Sequence, residues 1–150
     1  MAAAAYLVWP EVISSGYDDP EYSELILKGA QPEFPDPNWA DWRMFMEDYE
    51  DTLRGLGCGA LLAYTTEGLP WEQIEWVSPA EMAAAADRLA DLIANNAPEV
   101  VPVVEEYQDL FRQDGTPRAL QLIEDLRVVK AKAEFLQRLG KTRVAFDLQV

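Results

Sequence analysis

The side chains able to do chemistry in this sequence are nearly all carboxylates: 27 Asp and Glu stand beside a single cysteine and no histidine. Without histidine the commonest general base and metal ligand is missing, and neither a Ser-His nor a Cys-His nucleophile pair can be built. One Cys and no His cannot supply a zinc site of the usual kinds. Two acids facing each other across a cleft could act as in a glycosidase, but no spacing singles out a pair. Asp36-Pro-Asn38-Trp-Ala-Asp41 groups oxygen ligands that could bind calcium. It lacks the spacing, turn glycine and closing glutamate of an EF-hand loop, and Asn38 is more simply a helix cap. Gly55-Leu-Gly57-Cys-Gly59 fits a phosphate-binding glycine loop only superficially, because an apolar strand, not a helix, is expected after it. No catalytic residue, metal or cofactor is therefore expected. Cys58 opens an apolar run with no base or cation beside it in sequence, so a buried, inert thiol is expected.

What the carboxylates offer instead is a field. The net charge is −15, and residues 1–51 hold 12 acids against two bases, Lys28 and Arg43, a net of −10. Residues 116–150 carry seven bases and four acids, a net of +3. Such a negative front attracts cationic partners, repels nucleic acid and anionic membranes, and speeds encounter with a basic protein. The expected partner is accordingly a basic protein, with no direct binding of nucleic acid or membrane. Within the front, Tyr17, Asp18, Asp19, Glu21, Tyr22 and Glu24 set aromatic anchors beside carboxylates. Tyrosine is a favoured interface anchor, and carboxylates pair with Arg and Lys. Glu47, Asp48, Glu50 and Asp51 add a second acidic group off the apolar stripe of a helix. These ten residues are the expected partner-binding set.

The elements that position them can be read from pattern. Residues 4–9 are an apolar strand without alternation, as in a central strand, stopped by Pro10. Residues 11–37 read as an acidic loop region rich in Pro and aromatics, with a short helix expected at 21–28. A helix is expected over 38–54, its stripe being Trp39, Trp42, Phe45, Met46, Tyr49 and Leu53, with Gly55 and Gly57 as its stop. Residues 58–64 read as a buried strand and 73–77 as a short alternating one. Ser78-Pro79-Ala80-Glu81 is a capping box for a helix reaching about residue 95. Further helices are expected over 99–113 and from Thr116-Pro117 to Leu139, where Gly140 stops the chain's longest helix. The alternation of Val144, Phe146, Leu148 and Val150 gives a half-buried strand over 142–150. The expected fold is a single α+β domain over 1–150: about four helices packed on a small, mostly antiparallel sheet of three or four strands. The apolar start lacks a basic leader, and no apolar run approaches the length of a membrane span, so a soluble, cytoplasmic protein is expected.

Two stretches carry a resemblance. Trp76-Val-Ser-Pro-Ala-Glu-Met82 leads into an Ala-rich helix, and Leu122-Ile-Glu-Asp-Leu126 lies in a long helix that ends at Gly140 before an apolar strand. Over residues 76–150 this layout resembles small acidic immunity-type proteins of bacterial toxin systems, and also a group of uncharacterised bacterial proteins. The first resemblance implies a toxin-neutralising binding protein without catalysis; no contact residues carry over from it. Three other readings remain open at this point. A nucleic-acid mimic would need carboxylates at phosphate-like spacing. A carboxylate enzyme would need acids converging in a pocket. A self-assembling subunit would join the basic C-terminal helix of one copy to the acidic front of another.

Overall fold

A computed structural model describes residues 4–10, 46–65, 75–102 and 118–149. The chain is of mixed α+β type. Strand β1 (Ala4–Val8) pairs antiparallel with β3 (Ala145–Gln149), in the register Leu7↔Phe146 and Val8↔Ala145. On the other side of β3 lies β2 (Tyr64–Thr65), parallel to it, so the strand order is β1-β3-β2. The missing alternation in residues 4–9 therefore does not mark the central strand: among the described residues β1 has β3 as its only strand neighbour. The central strand is β3, and it is not half-buried where its side chains are described. Val144, Ala145 and Phe146 are consecutive and all fully buried, which places apolar side chains of both faces in the core.

The run 58–64 departs from the expected strand. Gly59–Leu62 is a 3-10 turn, and only its end joins the sheet, where the Ala63 carbonyl accepts from the Phe146 N–H at 2.8 Å. Burial explains both the expectation and its failure. A short apolar run bounded by glycines can be hidden as a strand or as a tight helical turn, and periodicity does not separate the two. Here Cys58 and Leu61 are buried three residues apart, the repeat of a 3-10 turn. The alternating stretch 73–77 contributes one antiparallel bridge within the described residues: Val77 and Val144 exchange N–H···O bonds of 3.1 and 2.7 Å. Gln73 and Ile74 lie outside the described residues.

The helices follow their local signals more closely. Residues 46–48 are helical, the backbone breaks at Tyr49 (φ −119°), and α1 (Glu50–Gly55) follows. Met46 and Leu53 are fully buried with Tyr49 packed against the same core, so the helical spacing of the stripe survives the break. α2 (Pro79–Ala94) opens as its capping box requires: Ser78 Oγ accepts from the Glu81 N–H at 3.1 Å, and Pro79 occupies the first turn. Its buried face is Met82, Ala85, Ala86, Leu89 and Ile93, widened by Ala83 and Ala90. A 3-10 turn at Pro98–Val100 buries Val100 at the start of the expected 99–113 helix, most of which lies outside the described residues. α3 (Arg118–Arg138) packs along α2 and buries Leu122, Leu126, Val129, Ala133 and Leu136. Residues 116 and 117, its expected cap, lie outside the described residues.

α1, α2 and α3 end in the same hydrogen-bond pattern. Cys58, Ala97 and Lys141 donate to the carbonyls of Leu53, Leu92 and Leu136, while Gly57, Asn96 and Gly140 donate to those of Arg54, Ile93 and Gln137. This is the Schellman motif, with the residue before the last donor in the left-handed region. Gly57 (φ 77°), Gly140 (φ 85°) and Asn96 (φ 53°) occupy that position.

Three substitutions separate packing from backbone conformation. Leu126→Ala leaves a cavity in a fully buried site and costs about 2–5 kcal/mol. Gly140→Ala meets no atom within 4 Å yet costs about 1–2 kcal/mol, because an L side chain disfavours the left-handed backbone. Asn96→Gly relieves that same conformation and leaves stability unchanged or raised. Urea unfolding midpoints at constant slope report all three.

Candidate functional site: an acidic helical face

The acidic group at the start of the described middle segment is built by one turn of helix and its neighbour. Met46 and Leu53 point into the core, which leaves Glu47, Asp48, Glu50 and Asp51 exposed on the solvent side. Glu50 and Asp51 sit in the first turn of α1, where carboxylates complement the helix dipole. Glu50 also meets Arg54 at 3.3 Å, with both side chains more than half exposed, so this pair adds little stability. The far end of α1 is tied down by a long-range contact: Arg88 Nε, on α2, donates to the Leu56 carbonyl. The acidic face thus rides on a segment fixed at both ends, by buried Met46 and by the Leu53–Cys58 region. The structure brings these four expected partner-binding residues together. Tyr17, Asp18, Asp19, Glu21, Tyr22 and Glu24 lie outside the described residues, as do Trp39, Trp42, Phe45 and the oxygen-rich stretch 36–41.

The basic end of the chain is less available to solvent than its +3 count implies. Lys130 Nζ hydrogen-bonds Asp87 at 3.0 Å and approaches Glu134 at 3.9 Å. Lys132 is buried, with only 6% of its surface exposed. The Lys141 ammonium lies 4.9 Å above the ring of buried Trp9, and the Arg138 guanidinium 5.9 Å above Phe135. Four C-terminal bases are therefore engaged within the fold. The hydrogen bond and the charge of Asp87 hold the Lys130 ammonium above the ordinary lysine range.

Sequence spacing also hid a cation beside the thiol. Cys58 is fully buried, and burial pushes its pKa up, while the nearby charge of Arg88 opposes the rise. No local signal pairs residues 58 and 88. The one hint is a charged dipeptide, Asp87-Arg88, interrupting the alanine run of α2. Those two residues turn out to supply both cross-links: Arg88 to the end of α1 and Asp87 to Lys130 on α3. Between α2 and α3 lies an open groove of about 400 Å³, with Ala80, Ala83 and Ala84 on one wall and Glu134, Gln137 and Arg138 on the other. Among the described residues no three Cys, Asp or Glu are grouped so as to hold a metal ion.

Two titrations test these placements. As pH rises past the ordinary thiol value, the unfolded chain releases its Cys58 proton first, so stability falls until the folded thiol ionises as well. Denaturation curves of Cys58→Ala lack this alkaline limb, and alkylation of the native thiol is far slower than that of the unfolded chain. Lys130 behaves likewise for a different reason: its stabilisation is complete below the ordinary lysine pKa and disappears as pH rises through the raised value. Lys130→Met flattens that higher limb and leaves stability near neutral pH little changed, since the pair is largely solvated.

Compared with known proteins, the chain matches no protein-family model, no curated protein and no solved structure.

Proposed function

We propose that this protein is an acidic binding protein that neutralises a cationic protein, acting as an immunity protein that inhibits a bacterial toxin in the cytoplasm. The observation that carries the reading is the exposed face of Glu47, Asp48, Glu50 and Asp51, set on core-anchored helix in a chain of net charge −15. On this reading the acids take the place of phosphates in the partner's basic cleft, and Asp18, Asp19, Glu21 and Glu24 extend the surface. Tyr17 and Tyr22 supply apolar anchors. Inhibition needs no catalysis and no cofactor; it needs a rigid acidic surface, because pre-ordered side chains lose less entropy on binding. Nucleic acid and membranes are not direct partners, since the same field repels them. The complete fold, in this proposal, is one domain of about four helices on a mostly antiparallel sheet of three or four strands.

The reading is tested by capture from the source cells at low salt with nuclease present, followed by association kinetics with the purified partner. One stoichiometric basic protein, released by salt, is expected. Its association slows steeply as salt screens the exposed charges. Reversing Glu47, Asp48 and Asp51 to Lys lowers the association rate by about tenfold or more, and Asp18→Lys with Asp19→Lys does the same for the loop. A salt-independent rate, or reversal variants that bind as fast as the parent, overturns the proposal.

A further inference from the structure

We draw no further inference here: the strongest candidate, the open groove between α2 and α3 beside the Asp87–Lys130 pair, holds acids and bases that balance one another over a wall of alanines, and nothing in the structure shows what occupies it.

Discussion

α2 and α3 pack along one another, and on the side of α2 that carries Asp87 toward α3 the buried residues Ala83, Ala86 and Ala90 are all small. Small side chains on one helix let the leucines and valine of the other seat deeply, since interaxial distance is set by the residues at the crossing. Leu126, Val129 and Leu136 are accordingly buried to the last few per cent of their surface. The same core takes in the sheet through Val8 and Phe146, the 3-10 turn through Leu61, and the acidic segment through Met46 and Leu53. Apolar burial is non-directional, and at roughly 25 cal/mol per Å² it far outweighs any of the exposed ion pairs. The polar cross-links from Asp87 and Arg88 therefore orient neighbouring elements more than they stabilise them.

Where a signal was local, the sequence carried it. Ser78, Pro79 and Glu81 mark the start of α2 because a cap is made by residues within one turn of each other. Leu122, Leu126, Val129, Ala133 and Leu136 mark the buried row of α3 because a helix repeats its own geometry. Gly57 and Gly140 mark helix ends because only the backbone at that residue matters. Legibility stopped where the outcome depended on partners distant in the chain. Residues 58–64 are apolar enough for a strand, and the position of Phe146 decides that only their end pairs. Residues 4–9 read as a central strand because continuous apolar character reflects burial, not the number of strand neighbours, of which β1 has one among the described residues.

The site was legible in the same partial way. That Glu47, Asp48, Glu50 and Asp51 would face solvent followed from their positions off an apolar stripe. The state of the basic residues did not follow, since nothing near Lys130, Lys132 or Lys141 in sequence announces Asp87, the core or Trp9 as neighbours. Their engagement sharpens the contrast between the two ends of the chain. The acids of the middle segment stay exposed, whereas much of the C-terminal positive charge is drawn into contacts within the fold.

The place of β3 in the sheet also governs when the sheet can exist. Synthesis is vectorial, and β1 leaves the ribosome well over a hundred residues before β3, the strand that completes its hydrogen bonds. Because β3 receives β1 on one side and β2 with the Val77 bridge on the other, these pieces have no common template until residues 144–149 emerge. The α2–α3 pair depends on closer neighbours and can form earlier, while pairing Val8 with Ala145 closes a far longer loop. In the interval β1 is an apolar strand with an unpaired edge, the kind of segment that aggregates. The strongly acidic stretch that follows it sets such chains apart by mutual repulsion before β3 is made, a consequence of its charge alone.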